Sequence, residues 1–259
     1  MRKKGFGLVE VPGEGRSGRR MLVATAVAFA IASPLAAPAT VYADGYSGPL
    51  KCVEQVQVAQ GEGNVVDVTF NDDVHGKITF LDNGVFRYNV DPEGEFSEYA
   101  EPRSEAHVAK IQAQPDNSDK YDKPAATVSE TDTVFEITAG DVTVVLEKAT
   151  GKLSIKAGGK TVMREKEPLS IGEGGTVQTL GKEDGENFFG GGTQNGRFIH
   201  TGKNINIVNE STWVDGGVAS PNPFYWSSDG YGVLRNTFAE GSYDFGKSDG
   251  STVTATGAP

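Results

Sequence analysis

From Val53 onward the chain is a succession of short runs rich in Val, Ile, Thr, Phe and Tyr, each cut off within a few residues by Gly, Asp or Asn. Apolar residues recurring with a period of two, between residues that favour tight turns, are the pattern of antiparallel strands. Long helices have no place in it. Residues 78–81 and 85–90, joined by Asp82-Asn83-Gly84, predict a β-hairpin whose turn requires positive φ. Residues 134–138, 142–147, 153–156 and 161–164, separated by small polar turns, predict a meander of successive neighbours, with residues 127–130 leading into it. Residues 114–124, polar and with two prolines, read as an exposed excursion. So many short strands in about 200 residues predict an all-β domain of two packed sheets sharing one core.

The amino terminus is of a different kind. Arg2, Lys3, Lys4, Arg16, Arg19 and Arg20 precede an apolar run over residues 21–32, and Val41-Tyr42-Ala43 stands before Asp44. That order predicts a signal peptide over residues 1–43, cleaved between Ala43 and Asp44, with a mature domain over 44–259 that is secreted or held at the cell surface. The apolar run is shorter than the about 20 residues of a membrane span, so no stable span is expected after cleavage. Arg19-Arg20 before Met21, Leu22 and Val23 also fits a twin-arginine signal. Cleavage would remove six basic and two acidic residues and take the formal charge from −11 to −15. An acidic surface argues against nucleic acid, which is bound through clustered Lys and Arg. The single Cys52 allows no internal disulfide, and His75, His107 and His200 are scattered with no second ligand at metal spacing, so no metal and no cofactor is expected. The three histidines read as surface residues, with His200 also a candidate sugar contact. Gly190-Gly191-Gly192-Thr193-Gln194-Asn195-Gly196 lacks the Lys-Ser/Thr and the following helix of a phosphate loop.

Residues 187–246 crowd aromatics, amides and glycines beyond what a core needs, and both tryptophans, Trp213 and Trp226, lie here. Stacking rings beside amide, carboxylate and guanidinium groups are what sugars require, with their apolar C–H faces and hydroxyl edges. The sequence Phe188-Phe189-Gly190-Gly191-Gly192-Thr193-Gln194-Asn195-Gly196, the loop Trp213-Val214-Asp215, then Pro223-Phe224-Tyr225 and Gly230-Tyr231-Gly232-Val233 resemble the end of the N-terminal β-sandwich of glycoside hydrolase family 31. The meander over residues 134–163 is similar to the preceding part of the same domain. The resemblance implies a galactose-mutarotase-like β-sandwich from an enzyme of the α-glucosidase or α-N-acetylgalactosaminidase kind. The Gly-Gly-Gly-Thr-Gln-Asn run, where many members have Gly-x-Gly-Glu, resembles the second branch more closely.

Glycoside hydrolysis requires two positioned carboxyl groups, and in this family they are aspartates of a (β/α)₈ barrel that follows the sandwich. No catalytic residue is therefore assigned in this chain. A barrel needs about 250 residues of its own, so the chain is expected to be a truncated N-terminal portion, with Gly257-Ala258-Pro259 departing from the family pattern after the strand at 251–256. The resemblance also implies that a loop of the sandwich reaches over the barrel mouth. Trp213 and Asp215 fall on that loop, and Asp215-Gly216-Gly217 reads equally as a plain turn. Further candidates for glycan contact are Asn222, held in a stiff loop between Pro221 and Pro223, Trp226, Gln194 and His200. Trp226 also reads as one residue of a strand alternating between core and surface. The expected partners are a glycan or oligosaccharide and the catalytic barrel. An autonomous carbohydrate-binding sandwich without catalysis is the alternative.

Overall fold

The computed structural model describes residues 46–96, 121–172, 175–208, 214–237 and 239–257. The alternating runs become strands β1 (Gly48–Pro49), β2 (Val53–Val58), β3 (Val65–Phe70), β4 (His75–Asp82) and β5 (Val85–Asp91). There follow β6 (Thr127–Glu130), β7 (Val134–Ala139), β8 (Val142–Glu147), β9 (Leu153–Ala157), β10 (Lys160–Gly172), β11 (Gly175–Gly181) and β12 (Phe188–Gln194). The last are β13 (Asn204–Ile207), β14 (Val218–Ser227), β15 (Gly232–Leu234), β16 (Gly241–Phe245) and β17 (Thr252–Gly257). A 3₁₀ turn at Asn71–Asp73 is the one helical element among the described residues. The strands form a four-stranded sheet β2-β3-β4-β5, a three-stranded sheet β12-β14-β15, and a ten-stranded sheet β13-β16-β17-β11-β10-β9-β8-β7-β6 with β1 also on β10.

The predicted meander is present as successive antiparallel neighbours β6 to β10, and the predicted hairpin is β4–β5. Alternation sets which side chains turn inward. β7 buries Phe135, Ile137 and Ala139, and β8 buries Val142, Val144 and Leu146. They meet Phe70, Ile78 and Phe80 of the four-stranded sheet in one core, which continues to Phe188, Tyr225, Tyr243, Phe245 and Val253. At that far end the three-stranded sheet lies on β16, with ring centroids of Phe188–Phe245 at 4.9 Å, Tyr225–Tyr243 at 5.0 Å and Tyr225–Phe245 at 5.2 Å. Full burial of each such ring is worth about 1.5–3 kcal/mol. Tyr243 Oη donates to Pro223 O at 2.7 Å, and burial pushes its phenol up to about 12.

One strand is longer than its sequence suggests. β10 pairs with β9 as far as Arg164↔Ser154, then turns to pair with β11 from Glu165↔Leu180, with register shifts on both sides of Glu167. Pro168, which has no N–H to give a ladder, lies in this irregular stretch. Where β10 leaves β9, the Leu153 N–H donates instead to Glu165 Oε2 at 3.0 Å, and Gln178 Nε2 donates to Glu165 Oε1 at 2.9 Å. Glu165 thus ties β9 to β11 across the split. Its burial raises the carboxyl to about 7, against the opposing effects of the Gln178 and Leu153 bonds and of Lys152.

Candidate functional site

The site region is built on β12, where Gly190, Gly191 and Gly192 have φ of 106°, 71° and 76°. A Cβ on Gly190 would stand 2.7 Å from Phe224 O and 2.9 Å from Tyr225 Cα, and one on Gly192 would strike Ser220 O. The triplet is thus a close approach of two backbones, with φ values that side chains resist. Two predicted sugar ligands turn out to brace it. Gln194 is buried and its Nε2 donates to Gly191 O at 2.8 Å. His200, predicted at the surface, is 1% exposed, with Nε2 2.8 Å from Gly190 O. A carbonyl only accepts, so Nε2 carries the proton and Nδ1 is left as a buried atom with no partner. Burial lowers the His200 pKa, the Gly190 carbonyl opposes this, and Arg197 lowers it further.

Just past β12 two turns interlock. Arg197 N bonds Gln194 O at 3.2 Å and Gly217 N bonds Val214 O at 2.9 Å, closing one turn each. Asn195 N to Gly217 O at 3.0 Å and Gly216 N to Asn195 O at 2.8 Å join them. A Cβ on Gly196 would fall on the Asp215 carboxylate, and one on Gly216 would come within 2.5 Å of Arg197 Nη2. Each turn therefore uses a glycine to seat the other's charged side chain. The Asp215 carboxylate is exposed and has no ion pair or side-chain hydrogen bond among the described residues. Among the described residues, Arg197 Nη1 donates to Asn204 O at 3.4 Å. Asp215 belongs to a turn, closed by the Gly217 N–H on Val214 O, and its exposed carboxylate lies against Gly196. Arg197 was not singled out from sequence, because nothing local marks an arginine that packs on a glycine 19 residues away.

Asn222 is exposed but lies inside β14 instead of a loop. Register shifts in the β12–β14 pairing fall between Gly190 and Gly192 and between Thr193 and Gln194, and such irregularities tolerate Pro221 and Pro223. Asn222 Oδ1 accepts the Phe224 N–H at 2.9 Å. Trp226 sits on the outward side of β14 between buried Tyr225 and Ser227, as strand alternation predicts. Beneath it Ser227 Oγ donates to buried Glu186, whose carboxyl is raised by burial. Trp213, Ala43 and Asp44 lie outside the described residues.

A groove of 470 Å³ lined by Lys51, Thr150, Glu167 and Thr179, and one of 270 Å³ lined by Lys160, Arg164, Glu183 and Asp229, share no residue with the two turns. Among the described residues, no group of three or more His, Cys, Asp or Glu is placed to hold a metal. Nor is any described helix long and apolar enough to cross a membrane.

Residues 75–244, from β4 through the site to β16, match the glycosyl hydrolase 31 N-terminal galactose mutarotase-like domain. The chain belongs to that family. Its open antiparallel sheets are the galactose mutarotase-like fold. No curated protein matches by sequence. Among solved structures, a glycoside hydrolase family 31 dextranase of Flavobacterium johnsoniae, complexed with isomaltotriose, is similar at a TM-score of 0.68 and 18% identity over 81% of this chain and 25% of that one. A cycloalternan-forming enzyme from Listeria monocytogenes, in complex with a pentasaccharide substrate, is similar at 0.66 and 13% over 83% of this chain and 20% of that one. A family 31 α-xylosidase from a soil metagenome has a TM-score of 0.54 at 17% identity, covering 79% and 31%. This domain thus spans about a quarter of the first enzyme and a fifth of the second.

Proposed function

We propose that this family 31 domain is the supporting β-sandwich of an exported glycoside hydrolase acting on α-glycosides. It adjoins a (β/α)₈ catalytic barrel, which supplies the two reacting carboxyl groups, and lends the 214–217 turn to the sugar site. The observation that carries this reading is the interlock of the two turns, which seats the exposed Asp215 carboxylate against Gly196 and the Arg197 guanidinium against Gly216. An ionised carboxylate accepts two hydroxyls at once and a guanidinium donates to several, which suits a sugar edge. Neither turn lines either groove, so the pair acts by completing a pocket that another surface encloses. The sugar complexes named for the dextranase and the cycloalternan-forming enzyme support a glycan as the ligand. Export rests on the signal-like order of residues 1–43.

Titration of the chain with isomaltotriose and with N-acetylgalactosamine, followed through the Gly196 and Gly216 amide resonances, tests the sugar contact. The expected result is a millimolar interaction, about 4 kcal/mol, that shifts both resonances and disappears in Asp215→Ala with the remaining spectrum unchanged. Unmoved Gly196 and Gly216 resonances at about 100 mM sugar would sink the contact.

A further inference from the structure

We propose that Asn83 is a covalent modification site, at which spontaneous deamidation unlocks the β4–β5 hairpin of the four-stranded sheet from the turns of the meander. The chain has two Asn-Gly pairs, Asn83-Gly84 and Asn195-Gly196. In such a pair the backbone nitrogen attacks the preceding side chain with least hindrance, because glycine puts no Cβ beside it. The structure separates the two. Asn83 and Gly84 are both exposed, and a Cβ on Gly84 would meet nothing within 4 Å, so water reaches the reacting atoms. Asn195 is half-buried, its N and O are both bonded within the interlocked turns, and a Cβ on Gly196 would fall on the Asp215 carboxylate. That carboxylate also disfavours the negative charge the Gly196 nitrogen must take on to attack.

The consequence of the reaction lies in what the Asn83 amide holds. Its Oδ1 accepts the Asp141 N–H at 3.0 Å, and its Nδ2 donates to Asp141 Oδ2 at 2.9 Å. Asp141 lies in the turn between β7 and β8, next to Gly140, where a Cβ would stand 2.4 Å from Asn83 Oδ1. Asp141 O in turn accepts the Gly158 N–H at 3.1 Å, from the turn between β9 and β10. One primary amide thus ties the β4–β5 hairpin to two turns of the meander. The clasp needs an acceptor and a donor on the same side chain, which an amide has and a carboxylate has not. Its first bond also polarises the group that reacts, since the Asp141 N–H meets the oxygen on which charge gathers when Cγ is attacked.

In the reaction the Gly84 nitrogen, its proton lost to solvent, bonds to Asn83 Cγ. The Cγ–Nδ2 bond breaks, Nδ2 takes up a proton and leaves as ammonia, and a succinimide ring is closed. Water then adds to one of the two ring carbonyls. Opening at Cγ leaves an aspartate, and opening at the backbone carbon leaves an isoaspartate whose chain runs through Cβ and Cγ. Either way one water is consumed and one ammonia released. In the aspartate an oxygen replaces Nδ2, which stood 2.9 Å from Asp141 Oδ2, so a donor facing an acceptor becomes two like charges that repel. In the isoaspartate the turn also gains a backbone carbon.

The test ages the full chain in mildly alkaline buffer, follows residues 83 and 195 by peptide mass spectrometry, and compares the melting of aged and fresh protein. Asn83 is expected to convert roughly tenfold faster than Asn195, with Tm falling by about 3 °C as it does. Asn83→Asp should reproduce that fall without ageing. Adding Asp141→Asn, which sets a donor amide opposite the new carboxylate, should return the Tm to within about 1 °C of wild type. Conversion of Asn195 as fast as Asn83, or an Asn83 that stays intact, would overturn the site. An unchanged Tm in Asn83→Asp, or a fall that Asp141→Asn does not repair, would overturn the clasp as what the modification opens.

Discussion

The meander β6 to β9 and the three-stranded sheet β12-β14-β15 are both antiparallel, yet their glycines do opposite things. In the meander the strands run in unbroken register, and Gly158 and Gly159, in the turn that leaves it, have nothing within 4 Å of where a Cβ would stand. In the three-stranded sheet the glycines are inside the strand, the β12–β14 register is broken twice, and a Cβ at Gly190 or Gly192 meets backbone. Both regions bury aromatic or branched side chains on the inner face. The difference lies on the backbone, and it teaches that the meander is held by its side-chain pattern whereas the site region is held by the absence of side chains.

The largest expected effect tests that directly. Gly192→Ala adds a Cβ against Ser220 O at a φ of 76° and should cost more than about 3 kcal/mol in urea unfolding. Gly158→Ala, at a φ of 55° in open space, should cost about 1 kcal/mol. Equal costs would erase the distinction between the two regions.

Next in size is an opposition in pH. Glu165, where β10 leaves the meander, has a carboxyl raised from 4.5 to about 7, so the folded state holds a proton that the unfolded state releases. Its contribution is full below pH 4.5 and is lost as pH rises to about 7, a fall of about 3 kcal/mol. Glu165→Gln keeps an oxygen for the Leu153 N–H and should flatten that fall, seen as a variant more stable than wild type at pH 8 and close to it at pH 4.5. An unchanged pH profile would remove Glu165 as its source.

His200 runs the other way. Its pKa is lowered from 6.5, so its contribution is full above 6.5 and is lost as pH falls from there toward the lowered folded value, when a proton on Nδ1 would find no acceptor. Protection factors against hydrogen exchange at the Gly190 and Gly191 amides should fall on acidification below 6.5 while those of β7 and β8 do not. Because Glu186 is raised and acts in the opposite sense, the decisive comparison is with His200→Phe, in which the acid-induced loss of protection should vanish.

The smallest effect on stability is at two exposed rings. Phe198→Ser and Trp226→Ser should each stay within about 0.5 kcal/mol of wild type, since both side chains are largely outside the core. They should nonetheless lower self-association at high concentration, measured by sedimentation velocity, because exposed apolar surface drives it. A large loss of stability would place the two rings in the core.

What the chain's own pattern determined was the strand class, the hairpin at 85, the meander and the outward position of Trp226. Each follows from alternation, which is written residue by residue. Tertiary structure decided the rest. Gly192 must be glycine because Ser220 crosses it, His200 and Gln194 go inside, where they bond carbonyls of β12, and β10 passes from β9 to β11 between Arg164 and Glu165. That Trp226 stacks with Phe189 and Phe224 is likewise decided by the fold, because its ring neighbours come from β12 and from the same face of β14. Periodicity is a local property of the chain, whereas the approach of two backbones or two ring faces joins residues tens of positions apart, and no local run of sequence carries that distance.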